Sequence, residues 1–169
     1  GSGAHDTITF NGSQTYTYTE GTTGATETYR QIGGRWLLVS SQDKSGQGQT
    51  YRYDGQNRLE RITQNSGEYT QIKYDGANRV TSFESYIKDS DSGSLYKQGT
   101  AVYYAYDSYG RLSKAKVDLT ATDNSITDGN VYETAYTYHG TGLLVKDITQ
   151  TDGSKVSFTY FSDGRLKTY

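Results

Sequence analysis

Tyr104-Ala-Tyr106-Asp107-Ser-Tyr-Gly110-Arg111-Leu112 decides the fold of this chain, because it is one of several copies. Tyr51-Arg-Tyr53-Asp54-Gly-Gln-Asn57-Arg58-Leu59 and Ile72-Lys-Tyr74-Asp75-Gly-Ala-Asn78-Arg79-Val80 precede it. Tyr136-Thr-Tyr138-His139-Gly-Thr-Gly142-Leu143-Leu144 and Phe158-Thr-Tyr160-Phe-Ser-Asp-Gly164-Arg165-Leu166 follow. A worn copy runs from Thr28-Tyr29 to Gly33-Gly34-Arg35-Trp36. The second tyrosines of successive copies lie 21, 32, 32 and 22 residues apart. A constant motif at a variable period means that the turn inside the motif is fixed and the opposite loops vary.

Each copy reads as strand, tight turn, strand. The Asp side chain can bond turn amides, and Asn or Gly three positions later tolerates positive φ. Tyr51/Tyr53, Ile72/Tyr74, Val102/Tyr104/Tyr106, Tyr136/Tyr138 and Val156/Phe158/Tyr160 share one face, and Arg52, Lys73, Thr137, Ser157 and Thr159 the other. That is period two with one apolar face. On the returning strands, Trp36/Val39, Leu59/Ile62, Val80/Phe83 and Leu112/Ala115 are three apart, which puts partners on opposite faces unless a β-bulge follows the first aliphatic residue. Helical spacing is nowhere sustained. The expected fold is all-β: an antiparallel meander of roughly 12 to 14 short strands forming a curled single sheet, barrel-like or a spiral shell, because wide flat sheets curl, split or close. The two end strands would be open to strand addition. Residues 1–6 are expected to be a disordered start, Gly1-Ser2-Gly3 reading as a cloning remnant. Residues 7–169 should form one domain of about six hairpin units.

Composition says what fills such a sheet. Leu, Ile, Val and Phe make up only 27 of 169 residues, whereas there are 18 Tyr. Tyr buries a large ring and needs only its hydroxyl paired, so the ladder Tyr53, Tyr74, Tyr106, Tyr138 and Tyr160 is read as core. With no Pro and 20 Gly, the turns are glycine turns and nearly every backbone N–H is free to donate to a neighbouring strand. Without Cys there is no disulfide, thiolate nucleophile or thiolate-bound metal. A net charge of −2 leaves no basic patch for nucleic acid, and no apolar run is long enough for a transmembrane helix.

At these residues the chain resembles the YD-repeat, or Rhs-repeat, family, whose signature is Tyr-x-Tyr-Asp, a short turn, and Gly-Arg-Leu. Tyr104 to Leu112 matches throughout. The copies at Tyr51 and Ile72 carry Asn for the turn Gly. The copy at Tyr136 has His139 and Leu143 for Asp and Arg, and that at Phe158 lacks Asp after Tyr160. The resemblance covers about residues 28–169, and more loosely the Tyr16/Tyr18 strand. It implies a bacterial, extracellular or cell-surface setting. It also implies one of two non-catalytic roles. The first is a binding or adhesion module contacting glycan or protein through loops and exposed aromatics. The second is a purely structural spacer, or a fragment of a shell that encloses a toxin domain.

The residues themselves speak against catalysis. Asp54/Arg58, Asp75/Arg79 and Asp107/Arg111, with Arg165, recur from turn to turn, as turn-stabilising groups do and catalytic groups need not. Arg stacking on Tyr belongs to the same reading. No nucleophile elbow, metal-ligand spacing or phosphate loop is present, so neither a metal nor another cofactor is expected. The stretch Lys88-Asp89-Ser90-Asp91-Ser92-Gly93-Ser94, like Asp123, Asp128 and Gly129, reads as a solvated hairpin tip, not a calcium loop. Candidate ligand-binding aromatics are those outside the ladder: Trp36, Tyr86, Tyr96, Tyr103 and Tyr109. Possible partners are a glycan, a cell-surface protein, or neighbouring repeats at the edge strands.

Overall fold

The computed structural model describes residues 5–89, 91–123 and 125–169, with backbone alone for 96–99. Its strands are β1 (Thr7–Phe10), β2 (Thr15–Thr19), β3 (Thr26–Ile32), β4 (Arg35–Gln42), β5 (Gly48–Tyr53), β6 (Leu59–Gln64), β7 (Tyr69–Tyr74), β8 (Val80–Lys88), β9 (Leu95–Tyr106), β10 (Leu112–Asp118), β11 (Val131–Tyr138), β12 (Val145–Gln150), β13 (Lys155–Ser157), β14 (Thr159–Tyr160) and β15 (Leu166–Thr168). Among the described residues the sole helical turn is Ala121–Asp123. β1 to β13 follow one another in sequence order in one antiparallel sheet, and β14 pairs with β15. Among the described residues the order does not return on itself: β1 pairs with β2 and β13 with β12.

The bulges that the odd aliphatic spacing requires after Leu59 and Leu112 are present. Arg52 pairs with Arg61 but Tyr53 with Leu59, so Glu60 is the extra residue. Ser113 is extra between Leu112 and Lys114, and Lys146 between Val145 and Asp147. In β4 the position differs from the sequence expectation. Tyr29 faces Leu38 and Thr28 faces Ser40, so Val39 is itself the bulged residue and Leu38, not Trp36, matches Leu59. The cause is the turn: Ile32 faces Arg35 across Gly33 and Gly34, at φ +56° and +77°. That two-residue turn makes this hairpin's arms longer than in the other copies.

The described contacts gather the chain into two compact units. One comprises the chain up to Ile72 with Tyr86–Leu95, the other Lys73–Ser85 with Tyr96–Tyr169. On one face of the first unit, Ile8, Tyr18, Glu27, Ser41, Gln49 and Gln64 form a cross-strand row, and Phe10, Tyr16, Tyr29 and Leu38 the next. In the second unit, Val102, Val117 and Tyr132 form one such row, and Tyr136 faces Ile148. The tyrosines are not enclosed as a core expectation requires. Among the described residues Ile72, Ala101 and Ala121 are the buried apolar ones, and Ser82, Glu84, Asp118 and Asp147 the buried polar ones. Tyr53, Tyr74, Tyr106, Tyr138 and Tyr160 are half-buried.

Candidate functional site

Three turns are built alike from their Asp. The Asp54 Oδ1 accepts the amides of Gln56 and Arg58 at 2.9 and 3.0 Å, Asp75 those of Ala77 and Arg79, and Asp107 those of Tyr109 and Arg111. Asn57, Asn78 and Gly110 take the left-handed position, at φ +61°, +66° and +80°, as the residue after a type I turn must in this hairpin class. The other Asp oxygen holds the arginine: Nη2–Oδ2 is 2.7 Å for Arg58–Asp54 and Arg79–Asp75, and 2.6 Å for Arg111–Asp107. The Arg58 and Arg79 backbone N–H groups, then their side chains, hold the Asp54 and Asp75 carboxyls below the usual carboxylate range.

Two of these guanidinium groups then serve the next hairpin. Arg79 lies 4.4 Å from the ring centre of Tyr106, and Arg111 4.3 Å from that of Tyr138. The covered tyrosine donates its hydroxyl to the carbonyl just after the arginine: Tyr106 to Val80 and Tyr138 to Leu112, both at 2.7 Å. Tyr53 makes the same bond to Leu38 at 2.7 Å. Leu38 and Leu112 immediately precede bulged residues, where the ladder is locally disrupted, and the hydroxyl supplies a donor there. Burial pushes the Tyr53 and Tyr138 hydroxyls above the ordinary phenol value. Thus ring, hydroxyl, guanidinium and carboxylate form one lock between successive hairpins.

Arg111 is the most enclosed of these arginines, its side chain 9% exposed against 33% for Arg79. It also donates to the Gly140 and Gly142 carbonyls at 2.9 and 2.6 Å. Tyr109 lies under the same guanidinium at 4.8 Å, which places this candidate beside the lock although it is 61% exposed. Where the motif decays the lock changes. Leu143 supplies no cation for Tyr160, and the His139 ring meets it edge-on at 5.7 Å instead. Arg165 pairs with Asp163 at 2.7 Å and its side chain is 77% exposed.

The remaining candidates are dispersed. Tyr86 stacks on Tyr69 at 4.5 Å, with Arg61 4.0 Å from the Tyr69 ring centre. Tyr103 lines a hollow of about 350 Å³ with Thr81, Lys114, Lys116 and Glu133, where both lysines reach the one carboxylate. Trp36 lines another of about 550 Å³ with Ile8, Tyr16, Tyr18, Glu27 and Tyr29. The Tyr96 side chain lies outside the described residues, as do residues 1–4 of the expected disordered start. Asp6, from the same stretch, accepts the Tyr18 hydroxyl and the Gly21 amide. Asp89 bonds the Asp91 and Ser92 amides at its hairpin tip. Among the described residues no three His, Asp or Glu side chains are placed to hold a metal ion.

Sequence reasoning missed two contributors. One is the set of accepting carbonyls, whose only signal was the odd spacing that demanded bulges. The other is Asp147, which accepts Ser157 and Thr137 hydroxyls at 2.7 and 3.0 Å and pairs with Lys155 at 3.1 Å. The Ser157 bond first, then Lys155 and Thr137, lower its carboxyl to about 2.

No family model and no curated protein sequence matches the chain. Among solved structures the fold is similar to that in the crystal structure of TcdB2-TccC3-TEV, with a TM-score of 0.53 and 13% identity over 89% of this chain. TcdB2-TccC3-Cdc42 gives a TM-score of 0.52 at 13% identity over 91%. TcdB2-TccC3 without its hypervariable C-terminal region gives 0.51 at 13% over 91%. The chain spans 7% of the length of each. At that identity the likeness carries the fold alone.

Proposed function

We propose that the chain is a non-catalytic wall segment, a run of YD-type hairpins that hold one another in register within a longer repeat sheet. The setting we propose is extracellular or at a bacterial surface. One observation carries the reading. In the copies at Ile72 and Tyr104, the motif side chains are engaged by their own turn or by the following hairpin, through Arg79 on Tyr106 and Arg111 on Tyr138. Chemistry that recurs at each joint serves the joints. The match of nearly the whole chain to 7% of much longer chains supports the same reading. Shells of the YD-repeat family that enclose another domain would need walls of this kind.

The test pairs native-state hydrogen exchange with binding screens. Arg111→Lys should lower amide protection across the β11–β12 hairpin as well as at its own turn. A glycan array and intact bacterial and animal cells should retain no wild-type protein. Specific retention that Tyr109→Ala abolishes without loss of stability would overturn the wall reading.

A binding or adhesion role is the second reading, and a trough in the first unit favours it. Gln42, Gln49, Gln64, Asn65 and Glu68 are among the residues lining about 680 Å³, and amides offer the mixed donors and acceptors that sugar hydroxyls need. A Gln49→Ala variant that loses retention on a glycan found by the array would favour this reading over the first.

A further inference from the structure

We propose that the hollow beside Trp36 binds a quaternary ammonium group, independently of the wall role. Ile8, Tyr16, Tyr18, Glu27, Tyr29 and Trp36 line it. Trp36 stands edge-on to Tyr16 with ring centres 4.8 Å apart, and the two are 44% and 36% exposed.

Charge argues for a cation. Elsewhere tyrosine faces are covered by guanidinium groups: Arg61 over Tyr69, Arg79 over Tyr106, Arg111 over Tyr138. Among the described residues no Lys or Arg stands over Tyr16, Tyr18, Tyr29 or Trp36. For Tyr29 the reason is a motif residue. In the β1–β2 turn the Asn11 amide donates to the Thr15 carbonyl, as Asp54 donates to Arg58, so Thr15 stands where other copies have arginine. The lining keeps one carboxylate, Glu27, and several negative π faces, both of which attract a cation.

Hydrogen bonding narrows the class. The Tyr18 hydroxyl donates to Asp6 and the Tyr29 hydroxyl to Glu27. Few acceptors remain for the five N–H groups of a guanidinium or the three of a primary ammonium. A quaternary ammonium brings no donor and an apolar methyl surface, which suits aromatic walls around one carboxylate. A sugar would want the polar lining that this hollow lacks.

The chain contains one Trp, so indole fluorescence and the indole N–H resonance report on this hollow alone. Choline chloride, titrated at constant ionic strength, should give a saturable change, and its uncharged isostere 3,3-dimethylbutanol and methyl glucoside should give none. Glu27→Gln should weaken choline about fivefold, the factor for one ion pair in water-like surroundings. Equal binding of the uncharged isostere, tighter binding of arginine amide, a response to methyl glucoside, or no saturable response would each overturn the proposal. The comparison of choline with its isostere uses the natural chain, so it decides the matter even if Glu27→Gln fails to fold.

Discussion

The Tyr138 hydroxyl donates to the Leu112 carbonyl at 2.7 Å, joining residues 26 apart in sequence. The same bond from Tyr106 to Val80 has the same length and separation. A repeat protein is stabilised by its nearest-neighbour interfaces as well as within each repeat, and this bond is the smallest unit of that interface.

Tyr138→Phe removes the hydroxyl and leaves the ring under Arg111. The expected loss is about 1 kcal/mol, the net contribution of one hydrogen bond. Tyr138→Ala removes the ring as well. A fully buried aromatic would cost roughly 3–5 kcal/mol, and a half-buried one should cost about half of that. Urea denaturation of both variants checks the order, and equal losses would mean that the ring contributes nothing.

The arginines should rank by enclosure. Arg111→Lys should cost about 2 kcal/mol, because Lys cannot reproduce the planar fork on Asp107 or the stacking on Tyr138. Arg79→Lys should cost less, and Arg165→Lys no more than about 0.5 kcal/mol, as for other exposed pairs. Thermal melts of the three single variants measure the series, and an Arg165 variant as damaging as Arg111 would contradict it.

Gly110 sits at φ +80° where the sister turns carry Asn57 and Asn78. Gly110→Asn should therefore change stability by less than about 0.5 kcal/mol, and Gly110→Val should lose about 2 kcal/mol, because β-branched residues do not tolerate that conformation. Denaturation midpoints of the two variants give the comparison.

Acid should unfold the chain through its lowered carboxyls. Asp54, Asp75 and Asp147 titrate below their unfolded value, Asp147 at about 2. Their contribution is complete above the unfolded value of about 3.9 and is lost as pH falls through the folded one. The melting temperature should drop between about pH 4 and pH 2, and Asp147→Asn should flatten the lower part of that curve.

Alkali acts with the opposite sign. The bond to Glu27 pushes the Tyr29 hydroxyl up to about 12, and burial raises Tyr53 and Tyr138. Their contribution is complete below the unfolded phenol value of about 10 and is lost as pH rises through the folded values. Tyrosinate absorbance should lag behind that of a denatured control, and Glu27→Gln should advance it.

Strands, turns and bulges were legible because each depends on nearby residues. Tyr-x-Tyr alternation sets the faces, Asp with Asn or Gly sets the turn, and three-residue aliphatic spacing forces the extra residue at Glu60 and Ser113. The Trp36 strand was misaligned because the Gly33-Gly34 turn lengthens its hairpin, and a worn copy gives no independent register. The lock was half legible. Arg on Tyr could be expected, but which tyrosine could not, since Arg111 covers Tyr109 of its own turn as well as Tyr138 of the next hairpin.

Sequence alone therefore determined an antiparallel hairpin meander with one tyrosine face, because period two and turn chemistry act over a few residues. Only the tertiary structure decided how those rings are covered. For Tyr106 and Tyr138 the shielding comes from a guanidinium group and a carbonyl of the preceding hairpin, brought near by strand pairing across variable loops. For the same reason the ring of Tyr29 beside Trp36 stays open: Thr15 stands where other copies carry the arginine, and no local pattern says what an arginine or its substitute will touch.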